Sequence, residues 1–165
     1  WITADVSRFA LPDRYVLLAP GCAPHRPEKR WPEAQYADLA NRLAARGLTP
    51  VLVGTKSEAE TTAAIAAACP QAIDLTDRTS LFELGGIARQ AAGAVGNDTG
   101  PMHLLAVVGC PSVVLYSHAS TPTQSGQRGP KVTILREPDL KDLPAGRVEA
   151  ALLALMGDLP SPGSR

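Results

Sequence analysis

The chain has 165 residues, enough for one domain with a sizeable core. Hydrophobic residues make up 45% and charged residues 19%, the composition of an ordinary globular domain. Sixteen basic and sixteen acidic residues cancel, so no net field draws the chain to nucleic acid, and no apolar run reaches the ~18 residues of a membrane span.

The three cysteines, Cys22, Cys69 and Cys110, lack metal-ligand spacing and read as small core or surface residues of a reducing compartment. The chain opens at Trp1 without a methionine or a signal peptide. The expectation is a piece of something longer.

Residues 1–14 have no clear period and read as a lead-in or the end of a linker. Tyr15-Val16-Leu17-Leu18-Ala19 is a continuous apolar run closed by Pro20-Gly21, the pattern of a buried parallel strand. The loop 21–31 is rich in proline and carries His25, Arg26, Lys29 and Arg30. Pro32 opens a helix whose apolar face is Tyr36, Leu39, Ala40 and Leu43, with Gly47 past its end. Residues 50–54 form a second strand ending at a glycine. Ser57 and Glu60 have capping-box spacing for an alanine-rich helix that runs toward Cys69-Pro70.

Residues 72–75 are a short third strand, and Ser80 with Glu83 repeats the capping box. The next helix carries a stripe of Leu81, Leu84, Ile87, Ala88 and Ala91. Its Gly85-Gly86 pair costs about 1 kcal/mol per glycine against alanine, a cost that close backbone packing explains. The small apolar stretch 91–96 is a fourth strand. Asn97-Asp98-Thr99-Gly100 is turn chemistry, Pro101 suits a first helical position, and 102–108 is a short apolar helix. A fifth strand at 112–116, a polar loop at 117–130, a sixth strand at 132–135, a helix at 148–156 led in by 145–147, and a tail at 158–165 complete the chain.

Strand and helix alternate five times. Right-handed crossovers then give an α/β fold, a parallel sheet of about six strands with helices on both faces. Ligands of such sheets bind beyond the carboxyl ends of the strands, where the loops 21–31, 54–57, 76–80 and 97–100 gather.

A strand that turns on glycine into a helix points the first free N–H groups of the helix outward and attracts phosphate. Thr99 and Gly100 offer backbone donors there, with the Thr99 hydroxyl as a further one. Asp98 would repel a phosphate and suits sugar hydroxyls or backbone amides. His103, on the first helical turn, suits the phosphate side, or else is a surface histidine beside a helix cap. Lys29 and Arg30 are phosphate partners or a solvated basic loop. Glu58 holds ribose hydroxyls or complements a helix dipole. Thr79 and Ser80 line a nucleobase pocket, or Ser80 is only a cap. The loop histidines His25 and His118 carry no distinct chemistry. Neither a Gly-x-Gly-x-x-Gly turn, a Walker loop, a Gly-x-Ser-x-Gly elbow nor a carboxylate cluster for a divalent metal is present.

Pro20-Gly21…Lys29-Arg30-Trp31-Pro32 together with Asn97-Asp98-Thr99-Gly100-Pro101-Met102-His103 resembles the family 9 glycosyltransferases, the bacterial heptosyltransferases of lipopolysaccharide assembly, over roughly residues 15–155. The resemblance implies the donor-binding, C-terminal Rossmann-like half of a GT-B fold. The ligand it implies is a nucleotide-activated sugar, typically ADP-heptose, and the acceptor a lipid A–core or other glycan. It implies sugar transfer with inversion, without a metal cofactor, at a cytoplasmic location with peripheral contact at the inner membrane through the full-length protein. Residue by residue, Lys29 and Arg30 would meet donor phosphate, Glu58 the ribose and Thr79 the adenine. Thr99 and Gly100 would hold the pyrophosphate, Met102 would belong to the substrate-binding set, and Asp98 and His103 would flank sugar and phosphate. The general base and the acceptor domain are expected outside this chain, which alone should transfer no sugar. The segment 22–28, with Pro24 and Pro27, departs from the small Ser/Thr-rich turn usual at that place. A sugar-nucleotide epimerase domain and a non-catalytic nucleotide-binding module are the competing readings.

Overall fold

A computed structural model describes residues 5–21, 30–97, 99–117 and 131–157. Its centre is a parallel sheet of six strands: β1 (Tyr15–Ala19), β2 (Thr49–Leu52), β3 (Ile73–Asp74), β4 (Gly93–Asn97), β5 (Ser112–Tyr116) and β6 (Val132–Arg136). They lie in the order β3-β2-β1-β4-β5-β6, the doubly wound Rossmann-like order. All residues of β1, β4 and β5 are buried. Strands covered on both faces cannot alternate polar with apolar residues, so they read in sequence as apolar runs.

The helices are α1 (Glu33–Ala45), α2 (Ala59–Ala68), α3 (Leu81–Gln90), α4 (Gly100–Val107) and α5 (Ala145–Leu155). Side chains alternate along each strand between two cores. Val16, Leu18, Leu52, Val95 and Val113 pack with Tyr36, Leu39, Ile65, Val148 and Leu152 of α1, α2 and α5. Leu17, Val51, Ala94 and Val114 pack on the other face with Leu84, Ile87, Met102 and Leu105 of α3 and α4. The expected face of α1 is fully buried at Tyr36, Leu39, Ala40 and Leu43. Gly47 takes φ +79°, the left-handed conformation that ends a helix. Between α1 and α5, Glu149 accepts from Arg46 at 2.8 Å and Arg42 at 3.4 Å.

Two local expectations are corrected. The capping box before α2 is Thr55 and Glu58, not Ser57 and Glu60. Both pairs have the right spacing, but the chain turns first at Thr55, and a 3-10 turn, Lys56–Glu58, precedes the helix. Ser57 instead bonds Thr55 and the Glu58 carboxylate. Asn97 is not a turn residue: it closes β4 and is fully buried. Within the lead-in 5–14, Val6 is buried and a 3-10 turn forms at Ser7–Phe9, the other residues being partly or fully exposed. The Ser80–Glu83 box before α3 forms as expected.

Burial pushes the Cys110 thiol from an ordinary 9.0 up to about 12. Burial, with Cys110 as the lesser cause, pushes the Tyr15 phenol from 10.0 up to about 12, and the phenol donates to the Ile87 carbonyl at 2.6 Å. Both groups stay neutral in the folded chain at pH values that ionise them in the unfolded one. Unfolding then releases protons, so stability is intact below about pH 9 and declines from there toward pH 12. Urea midpoints should fall over that range, and Cys110→Ala should flatten the fall.

Candidate functional site

The register places Ala19 beside Gly96 and Leu18 beside Leu52. The order of the sheet reverses between β1 and β4, and the crevice beyond their carboxyl ends is where such a sheet receives ligands. Close approach shapes this crevice. A methyl group at Gly96 would lie 2.7 Å from the Met102 sulfur and 2.8 Å from the Ala19 carbonyl oxygen. Glycine is required there because α4 begins directly against the sheet. Met102 is fully buried in that contact, so its side chain packs in the core beneath the crevice.

Helix α4 is capped at Thr99, whose extended backbone (φ −143°, ψ 165°) leads into Gly100 and Pro101. The Thr99 side chain makes no capping bond, and its hydroxyl oxygen is buried without a hydrogen-bond partner. Gly100 faces open space. Proline has no N–H, and the first N–H groups of any helix lack intrahelical acceptors. The arrangement therefore offers amide hydrogens, a helix dipole and an unused hydroxyl to an anion. His103 is exposed on the first turn of α4.

A cavity of about 220 Å³ adjoins this helix start, lined by Gly54, Thr55, Thr79, Ser80, Leu81, Leu84 and Pro101. The structure thus brings Thr79 and Ser80 together with Pro101 at the α4 start. The wall is well tied. Asp77, at φ 59°, donates its N–H to the Gly54 carbonyl at 2.8 Å. Glu83 accepts the Ser80 N–H at 2.9 Å. Arg8 donates to both Glu83 oxygens at 2.7 and 3.0 Å and to the Arg78 carbonyl at 3.1 Å. The hydrogen bond from Arg8, then that from Ser80, holds the Glu83 carboxyl down at about 2.

Glu58 sits between the ends of β1 and β2. One carboxylate oxygen accepts the Thr55 N–H at 3.0 Å and its hydroxyl at 3.1 Å. A methyl group at Gly21 would meet Glu58 Cγ at 2.5 Å, and one at Gly54 would meet its Cβ at 3.2 Å. The two glycines are the seat of this carboxylate, a dependence that sequence spacing does not reveal. Arg30 is half-buried where the chain returns to α1. Lys29 and Asp98 lie outside the described residues, as do Cys22, His25 and His118.

Asn97, which the sequence places in a turn, is instead buried at this edge. Its Oδ1 accepts from the Trp31 N–H and the Tyr36 hydroxyl, both at 3.1 Å, and its Nδ2 donates to the Pro20 carbonyl at 2.8 Å. A signal existed: Asn97 stands two residues beyond Val95, on the strand face that α1 covers.

A larger cavity, about 470 Å³, lies at the opposite edge against Asp5, Asp13, Tyr15 and Gln90. Among the described residues its lining holds two carboxylates and no cation, which disfavours an anionic ligand. The chemistry favours the smaller cavity. Among the described residues no group of three or more His, Cys, Asp or Glu is placed to hold a metal ion.

Residues 3–153 match the family described as glycosyltransferase family 9 (heptosyltransferase). The chain is 33% identical over 115 residues to lipooligosaccharide heptosyltransferase 2 of Haemophilus influenzae, covering 67% of this chain and 33% of that protein. It is similar in structure to E. coli ADP-heptose LPS heptosyltransferase II, with TM-score 0.83 and 30% identity over 91% of this chain and 49% of the other. A second similar structure is the E. coli heptosyltransferase WaaC with ADP, with TM-score 0.77, 26% identity, and coverage of 86% and 44%. The chain spans between a third and a half of the length of these relatives.

Proposed function

Because the chain belongs to glycosyltransferase family 9, we propose that it is the donor-binding half of an inverting transferase that takes a sugar from ADP-heptose for lipopolysaccharide core synthesis. The single observation that carries this reading is the buried, unpartnered Thr99 hydroxyl at the open start of α4. An idle buried hydroxyl costs free energy, and a diphosphate oxygen at the α4 end would satisfy it. The adjoining cavity takes the adenine against Thr79 and Leu84, and Glu58, next to Gly21 and Gly54, takes the ribose. The relative solved with ADP supports the choice of nucleotide.

The chemistry proposed for this half is charge stabilisation. As the sugar–phosphate bond breaks, negative charge grows on the departing diphosphate. Preorganised amides of α4, the Thr99 hydroxyl, Lys29 and Arg30 take up that charge. Asp98 and His103 are assigned to the sugar and the phosphate at the same edge. The metal-independent mechanism, the acceptor glycan and a general base supplied from outside residues 1–165 belong to the same proposal. Among the described residues no helix is long and apolar enough to cross a membrane; action at the cytoplasmic side of the inner membrane, through the full-length protein, is proposed from the family.

Thermal unfolding with ADP, UDP and GDP tests the reading. A ligand at 100 times its dissociation constant stabilises by about 2.7 kcal/mol, a shift of several degrees for a domain of this size. ADP is expected to give that shift and the other two less. Equal behaviour with and without ADP would contradict the proposal.

A further inference from the structure

We propose that Asn97 is a positioning residue, a buried amide that sets the donor site by clamping both ends of the β1–α1 crossing to the tip of β4. The inference rests on reading this edge as the nucleotide-sugar site.

Pro20 directly follows β1, Trp31 lies just ahead of α1, and Asn97 closes β4 two residues before Thr99. One fully buried side chain therefore ties three elements at the switch point. Each of its bonds goes to a group with a different requirement. The Pro20 carbonyl needs a donor, whereas the Trp31 N–H and the Tyr36 hydroxyl need an acceptor. Only a neutral primary amide, or a protonated carboxyl, offers both at this reach. The far side of the clamp is itself anchored. The Trp31 indole donates to the Leu143 carbonyl at 2.8 Å, and its ring meets Tyr36 edge-on at 4.8 Å. Releasing Asn97 would free the Pro20 end and the Trp31 end together, and with them the separation between Gly21, the seat of Glu58, and the start of α4.

A purely structural amide would lower stability and leave the affinity of the folded chain alone. The clamp predicts a change in affinity with its own pH signature. In Asn97→Asp the ionised carboxylate sets an oxygen against the Pro20 carbonyl and breaks the clamp. The protonated carboxyl donates to Pro20 through its O–H, while its carbonyl still accepts from Trp31 and Tyr36.

The experiment is calorimetric titration of ADP into the 165-residue chain, its Asn97→Asp variant and its Tyr36→Phe variant, each shown folded by circular dichroism. Near pH 8 the Asn97→Asp variant is expected to bind about tenfold more weakly than the parent. Near pH 5, where a buried carboxyl with its raised pKa is protonated, the gap should close to about threefold or less. Comparing variant with parent at each pH cancels the titration of ADP itself. Tyr36→Phe, which adds no charge, should bind about two- to fivefold more weakly at both values. This variant also decides the matter if Asn97→Asp does not fold near pH 8. Parent-like affinity in Tyr36→Phe, or a pH-independent gap in Asn97→Asp, overturns the clamp alone. No binding of ADP by the parent overturns the donor-site reading, and the role of Asn97 with it.

Discussion

A Thr99→Val chain is expected to bind ADP about tenfold more weakly than the parent while melting at the same temperature or slightly higher. Valine keeps the shape and β-branching of threonine and removes only the hydroxyl. In the unliganded chain that hydroxyl is buried and has no partner, so its removal relieves a desolvation cost and breaks nothing. With a diphosphate bound, the same hydroxyl is placed to make a hydrogen bond to a charged acceptor, worth about 1.5–3 kcal/mol. Affinity and stability should therefore move in different directions. Calorimetry for affinity and thermal unfolding for stability separate the two. A parallel loss of both would show that Thr99 serves the fold rather than the ligand.

Trp31→Ala is the substitution with the largest expected cost to the fold, about 3–5 kcal/mol. Trp31 is 2% exposed, and its indole reaches across the core to the Leu143 carbonyl just ahead of α5. Truncation opens a large cavity, strands that carbonyl and removes the edge-on contact with Tyr36. Domains of this size have a net stability of about 5–15 kcal/mol, so the loss is a large share of the total. The urea midpoint should drop with an unchanged denaturant slope, the mark of altered stability without altered compactness. Trp31→Phe should fall between the two, because it refills part of the volume while still stranding Leu143.

Much of the fold was legible because parallel strands buried on both faces must be apolar throughout. The runs at Tyr15–Ala19 and Ser112–Tyr116 could hardly be anything else. The face of α1 followed from helical spacing, and the switch point followed from right-handed crossovers, which bring the ends of β1 and β4 together. The candidate site was half legible. Thr99 and Gly100 follow from turn chemistry, Thr79 and Ser80 from their place on a loop at the strand ends, and the structure sets that loop against Pro101 at the α4 start. The misses share a cause: they depend on contacts between segments distant in sequence. Two overlapping Ser/Thr-x-x-Glu spacings, from Thr55 and Ser57, are equivalent until the path of β2 decides where the chain turns. The burial of Met102 against Gly96 likewise depends on a contact that spacing does not show. Asn97 looks like turn chemistry until Trp31, 66 residues away, arrives to donate to it.

The edge formed by β1, β4 and α4 is proposed to bind a nucleoside diphosphate. Amide chemical-shift mapping of the ¹⁵N-labelled chain during titration with ADP tests it most directly. The largest shifts are expected at Thr99 and Gly100, with a second group at Gly54, Thr55, Thr79 and Ser80 around the adjoining cavity. Shifts confined to Asp5, Ser7, Tyr15 and Gln90, at the larger cavity on the opposite edge, with Thr99 and Gly100 unmoved, would contradict it.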